Sequence, residues 1–377
     1  LGRITVKGVS LGTAGVFIVA LLFGALLYNP LAAQLKVGAA SYVTNALKIV
    51  ETMGLILFVT SVGFIAGPSF FGNFKKNFKS YVLLAVIIIL SGGLACAGCI
   101  MIGRNFTDLP KDEFTAMLTG ILAGALTSTP GFSATKDAVG TNDLQTIVSV
   151  GYGIAYIFGV VGVVLFVQLI PKFLKADMKK ERKLLLSSES KDEKSSKSEK
   201  LIEIDSFGIM PFALAAVIGI FLGSFKFKNF SLSTTGGCLL ASLVFGHFGK
   251  LGKVSVMPKD TTLKVFREVG LVFFLIGAGI SGGAKFVKYF EVVYFLYGII
   301  MTIVPMVIGF LFAKYVLKLS LLNNLGSITG GMTSTPALGT LIATAETENV
   351  AAAYAATYPV ALISVVLTSQ FMIILFS

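Results

Sequence analysis

The tetrapeptide TSTP occurs twice in this chain, at Thr127–Pro130 and at Thr333–Pro336. Each copy follows a run of small residues: Gly120, Ala123 and Gly124 in one case, Gly326, Gly330 and Gly331 in the other. A hydroxyl residue before proline suits the start of a helix. Thr129 and Thr335 can cap it, and Pro130 and Pro336 fit its first position, where a missing N–H is harmless. A helix that starts within an apolar medium points free N–H groups and its positive dipole end at whatever lies ahead of it. Such a terminus holds an anion without a buried cation. The chemistry expected of Thr127, Ser128, Thr129, Pro130 and Gly131, and of Thr333, Ser334, Thr335 and Pro336, is therefore carboxylate binding. One copy would read more simply as a proline kink in a packed helix; two copies at equivalent places favour a paired site. Tyr152 and Tyr358 follow the motifs at the same interval, and each either packs in the core or turns its hydroxyl to the site.

Other chemistries find no residues to carry them. The only histidine, His247, excludes a histidine-dependent triad or an H-E-x-x-H metal site. Cys96 and Cys99, one helical turn apart in an apolar run, read as small hydrophobes rather than a redox pair. No enzyme activity, metal or cofactor is expected. Among the charged residues near the motifs, Lys136 and Asp137 are expected to pair with each other near the aqueous end. Glu51, Arg267 and Glu268 are expected at helix starts, near an interface.

The elements that must position the motifs are membrane helices. Of 377 residues, 55% are hydrophobic and 13% charged, with a mean hydropathy of +0.87; soluble domains carry roughly 25% charge. Runs such as Val82–Met101, Val292–Ala313 and Ala352–Phe376 are long enough to cross a hydrocarbon core of ~30 Å. The net charge of +12 sits in short basic clusters between apolar runs (Lys75, Lys76, Lys79; Lys172, Lys175, Lys179, Lys180). That is the pattern of positive-inside loops. The expected partner is the lipid bilayer, and no nucleic acid.

The chain also repeats itself. Leu1–Gly15 (LGRITVKGVSLGTAG) aligns with Leu222–Gly236 (LGSFKFKNFSLSTTG), and Gly54–Gly67 with Gly270–Gly283, matching Gly54/Gly270, Gly63/Gly279 and Gly67/Gly283. Gly120–Gly131 aligns with Gly326–Ala337. Three blocks in the same order mean a tandem duplication. The organisation is a first membrane repeat (1–172), a charged linker (173–206) and a second membrane repeat (207–377). The apolar run Phe207–Phe221 precedes the second copy of the first block, which implies a matching helix ahead of Leu1. The stretch Pro171–Asp205, serine-rich and without apolar periodicity, reads as a solvated linker on the cytoplasmic side.

In the first half, crossings are expected at Gly12–Tyr28, Thr52–Phe71, Tyr81–Ile102 and Ile147–Ile170. In the second they fall at Gly208–Phe225, Ser233–Phe248, Val269–Gly283, Val292–Val316 and Ala351–Leu375. The TSTP segments, Phe114–Gly140 and Leu322–Ala345, are too polar in the middle for plain spans. Each would make two half-helices of roughly 15–18 Å, enough for a re-entrant hairpin that reaches the midplane. Five crossings per half, an odd number, make the repeats inverted. A broken helix that crosses fully would instead give six crossings and parallel repeats. The fold class expected is an all-α polytopic membrane protein of two inverted repeats, each of five transmembrane helices and one hairpin.

The paired blocks LGRITVKGVSLGTAG, GLILFVTSVGFIAG and GILAGALTSTPG, repeated around a linker, resemble the aspartate–alanine exchanger family of secondary transporters. The resemblance covers nearly the whole chain apart from the linker. It implies exchange of aspartate for alanine, or export of dicarboxylates such as succinate, across the inner membrane. It is similar more distantly to sodium-coupled glutamate and citrate transporters, which implies an elevator motion and a homodimer. Sodium or proton coupling on the same fold is the alternative. Many members carry two regulatory domains of the potassium-channel type between the halves; here only the stretch Pro171–Asp205 stands in their place.

Overall fold

The computed structural model describes residues 5–6, 9–10, 14–37, 40–72, 78–189, 202–203, 205–227, 230–231, 233–347 and 349–377. The chain is mostly helical. Seven of the described helices are long and apolar enough to cross a membrane, so this is a polytopic membrane protein. In chain order the helices are α1 (Ala14–Gln34), α2 (Val43–Gly72), α3 (Phe78–Gly103), α4 (Lys111–Ala125), α5 (Thr129–Val139), α6 (Asn142–Phe173) and α7 (Met178–Glu189). They continue as α8 (Ile209–Ser224), α9 (Ser233–Phe248), α10 (Asp260–Tyr289), α11 (Val292–Tyr315), α12 (Leu321–Gly331), α13 (Thr335–Ala345) and α14 (Val350–Phe376).

The helices sort into two bodies. In one, α2 packs along α10 and α9, α1 along α10, and α8 along α9. In the other, α4 packs along α6, α12 along α14, and α3 along both α14 and α11. The bodies meet chiefly where α6 touches α10 and where α14 touches α2. Small residues set the approach distances, since lipid gives no hydrophobic push between helices and close packing must do the work. Gly54 and Gly270, aligned in the sequence, face each other: a Cβ on either would come within 2.6 Å of the other's carbonyl oxygen. Gly54 lies at Gly270–Phe274 while Leu47 and Glu51 lie at Gly277, so α2 and α10 run antiparallel.

The same reading gives the course of the TSTP segments. Gly120 lies at Val148, and Gly124 at Tyr152–Tyr156. α4 and α6 therefore run in the same direction, and the chain turns back between them. Likewise Gly326 lies at Val350–Tyr354 and Gly330 at Tyr354–Thr357, so α12 and α14 are parallel too. Each TSTP segment is a helical hairpin, α4–α5 and α12–α13, bent at the motif.

Three expectations are corrected. α2 and α10 begin at Val43 and Asp260, about two turns earlier than the apolar runs suggest, because polar first turns continue the helix beyond its apolar stretch. Glu51, Arg267 and Glu268 therefore lie well inside helices and not at their starts. The linker is also not wholly solvated. α7 is a helix capped by Asp177, whose Oδ1 accepts the Lys179 and Lys180 amides at 2.9 and 3.3 Å, and its Leu185 is buried in the core. Further along, Ile202–Glu203 pairs in parallel with Val254–Ser255. Asp205 takes the amides of Phe207, Ile209 and Met210, which holds its carboxyl below the usual carboxylate range. The serine-rich stretch 190–201 lies outside the described residues.

Candidate functional site

Each hairpin tip is a helix end followed at once by a helix start. The amide of Ser128 reaches Ala123 O (2.9 Å) and that of Thr127 reaches Gly124 O (2.9 Å). Ser334 and Thr333 do the same to Thr329 O (2.9 Å) and Gly330 O (3.0 Å). This double closure ends a helix through a left-handed residue that is usually glycine. Here it is threonine both times, Thr127 at φ 52° and Thr333 at φ 51°, an unfavourable place for a β-branched side chain. Backbone strain of this kind persists where the surroundings hold it, and it clusters at functional sites.

The threonine hydroxyls show what glycine would lose. Thr127 Oγ1 donates to Met332 O at 2.9 Å, and Thr333 Oγ1 donates to Leu126 O at 2.9 Å. Each tip thus satisfies the last carbonyl of the other hairpin's first half-helix, and the two tips are tied by a reciprocal pair of bonds. All of this is buried: Ser128 and Ser334 are fully enclosed, and Thr127, Thr129 and Thr333 nearly so.

The caps fall one residue earlier than expected from sequence. The N-caps are Ser128 and Ser334, both with extended backbones, which puts Thr129 and Thr335 at the first helical position and each proline one residue further in. Ser128 Oγ accepts the Gly131 amide at 3.1 Å. Ser334 makes no such bond, and its Oγ is buried with no partner among the described residues. The side chain of Thr335 lies outside what is described.

Beside the tips lies a cavity of about 510 Å³, within the ~300–1,000 Å³ usual for small-molecule sites. Thr127, Thr129 and Pro130 reach it from one tip and Thr333 and Pro336 from the other. Its far wall carries Tyr156, Tyr354 and Tyr358, and α10 contributes Arg267 and Glu268. Arg267 Nη2 and Nε donate to Glu268 Oε1 at 2.7 and 3.2 Å. The two tyrosines predicted as equivalents part company here. Tyr358 lines the cavity and stacks on Tyr354 (4.9 Å between centroids). Tyr152 lies one layer behind, fully buried and stacked between Phe132 (4.1 Å) and Tyr156 (4.9 Å). The sequence reading missed Tyr156, Tyr354, Arg267 and Glu268. The signal for the tyrosines was present: each sits one helical turn from a tyrosine already singled out.

On the other side of the tips the two bodies are joined by polar bonds. Lys136 of α5 pairs with Glu51 of α2 at 2.6 Å, both side chains largely buried. This corrects the expected pairing of Lys136 with Asp137. Nearby, Lys285 of α10 pairs with Asp143 of α6 at 2.5 Å, and Thr235 of α9 meets Ser133 of α5 at 2.8 Å. A second, strongly polar cavity of about 400 Å³ lies among these charges.

Paired broken helices at the centre of a polytopic bundle, with a cavity at their tips, define a membrane transporter or permease. Residues 1–172 and 211–374 match the sequence profile described as a predicted permease membrane region, and the chain belongs to the aspartate–alanine exchanger family. It is similar to an uncharacterized transporter of Bacteroides fragilis (strain YCH46), 25% identical over 98% of this chain and 94% of the relative. Another, from Desulfotalea psychrophila, is 23% identical over 99% of this chain and 94% of the relative. An uncharacterized transporter of Bacteroides thetaiotaomicron is 34% identical over 49% of this chain and 30% of the relative.

Proposed function

We propose that this protein is a secondary transporter that exchanges small carboxylates, aspartate for alanine or one dicarboxylate for another, and holds them at the two TSTP tips. The observation that carries this reading is the tip-to-tip arrangement. Two helix N-termini, bonded through Thr127 and Thr333, stand at one cavity together with Thr129, Pro130 and Pro336. N-terminal dipole ends at the midplane stabilise carboxylates. Arg267 adds a fixed positive charge at the cavity wall, and Glu268 beside it suits the ammonium of an amino acid.

Inverted repeats fit the same reading. Equivalent helices α2 and α10 are antiparallel about Gly54 and Gly270, as a two-fold axis in the membrane plane requires. An elevator motion would slide the hairpin-bearing body (α3–α6, α11–α14) against the other (α1, α2, α8–α10). The cavity at Arg267 is then the open side, and the seam at Lys136–Glu51 the closed one. The proposal puts the linker, for its basic residues, in the cytoplasm and the protein in the inner membrane. A homodimer through the body of α1, α2 and α8–α10 is part of the proposal.

The test is counterflow in proteoliposomes with labelled aspartate, alanine, glutamate and succinate. Wild-type exchange of one or more of these, abolished by Thr129→Val and by Thr335→Val in protein that still folds, is the expected result. Near-normal exchange by both variants sinks the site. Flux that follows a pH or sodium gradient and ignores all four substrates sinks the exchanger in favour of the ion-coupled alternative.

A further inference from the structure

Each hairpin leaves its second half-helix through one residue of positive φ: Gly140 at 76° in the first and Glu346 at 50° in the second. The two are equivalent, separated by the same interval as the TSTP motifs. Glycine is the ordinary occupant, because it has no Cβ to clash with the following carbonyl. A glutamate there is strained, and its side chain accounts for its presence: the carboxylate is paired with Arg182 of the linker helix α7. The neighbouring linker residue, Glu181, accepts the amide of Leu321 at 3.0 Å. Leu321 is the first residue of α12, and Ser320 ahead of it supplies no side-chain cap. The linker therefore caps α12 from outside. One turn on, Leu185 is buried and fixes α7 in place. Two consecutive linker residues thus hold the entering and the leaving end of the same hairpin.

We propose that α7 is a latch on the second hairpin, with Glu181 and Arg182 as positioning residues. Tied at its base, α12–α13 keeps Thr333–Pro336 against Thr127–Pro130; released, it lets the tip withdraw and widens the cavity. The consequence for transport rests on the reading of the tips as the substrate site, but the latch itself does not. Glu346 is mostly exposed, and an isolated exposed ion pair contributes little. The latch works because the pair, the Leu321 cap and the buried Leu185 act on one short element.

The experiment uses the full chain with Cys96, Cys99 and Cys238 replaced by alanine and Leu338→Cys as reporter, since Leu338 is on α13 and lines the cavity. The rate of labelling by a charged maleimide reports hairpin opening and needs no substrate. E346G puts into the second hairpin the residue that the first already has, so it folds. It is expected to label about five- to tenfold faster, in the lower range of ordinary coupling between sites. R182A should match it, the two together should add nothing, and the exchanged pair R182E/E346R should return the rate toward that of the parent. Parent-like labelling in both E346G and R182A overturns the latch, as does a double variant whose effect is the product of the singles. In parallel, labelled aspartate counterflow should show a changed KM with kcat altered less. If the parent carries no carboxylate at all, the proposed function fails while the labelling result still decides the latch.

Discussion

At their tips the two hairpins repeat each other except for one bond, the cap from the Gly131 amide to Ser128 Oγ. Ser128 and Ser334 reach back to equivalent carbonyls, Thr127 and Thr333 share an unfavourable φ, and each threonine hydroxyl serves the opposite hairpin. Away from the tips they diverge. The first hairpin is anchored on α2 by Lys136 to Glu51, and it ends in Gly140. The second has Ile342 where the first has Lys136, and its anchor is at the aqueous base, on the linker. The two halves share the tip and differ in the way each arm is held.

The largest effects are expected from breaking the symmetric part. Thr127→Val and Thr333→Val each leave one buried carbonyl without its donor, which costs about 1–3 kcal/mol. The two variants should lose similar stability, measured by thermal unfolding in detergent, and both should lose counterflow. A clear inequality between them would mean that the reciprocal bonds are not equivalent. Adding a methyl at Gly120 or Gly330 is expected to cost a similar ~1–3 kcal/mol, as overpacking does. It would drive a Cβ into the Val148 carbonyl in one case and into Thr357 in the other.

Smaller effects probe the divergent parts. Gly140→Glu should destabilise by about 1–2 kcal/mol, the ordinary penalty for a side chain in the left-handed region, whereas Glu346→Gly should leave the melting temperature unchanged or raised. Equal and opposite shifts would show that Arg182 gives Glu346 no compensation. Ser128→Ala removes a cap and should cost about 0.5–2 kcal/mol. Ser334→Ala removes no cap bond and should cost less, so equal losses would erase the difference between the tips.

The smallest effect is a pH dependence confined to the second hairpin. Arg182, with Lys179 further off, lowers the Glu346 carboxyl from its ordinary 4.5. A group depressed in the folded state contributes above its unfolded pKa and loses that contribution as pH falls through the folded one. The labelling rate of the Leu338→Cys reporter in the parent, divided by that in E346G at the same pH so that the falling thiolate fraction cancels, should therefore rise toward one below about pH 4.5.

Much of this protein was legible in its sequence because the information was local or repeated. Apolar runs longer than twenty residues mark spans whatever their neighbours do. The break at TSTP follows from hydroxyl and proline chemistry within four residues, although the cap fell on Ser128 and Ser334 and not on the threonines. The match of Gly54 with Gly270 and of the two motifs could be read directly, since a sequence match needs no structure to be seen. What only the tertiary structure decided is which distant groups meet. The Thr127 hydroxyl could equally have been left free for a ligand; folding set it on the Met332 carbonyl, with the residue still at the cavity. Lys136 had an acidic neighbour in sequence and took Glu51, and a linker without apolar periodicity supplied the helix that holds α12–α13. Helical periodicity fixes which face a residue occupies, but the partner on that face is chosen by how the helices pack.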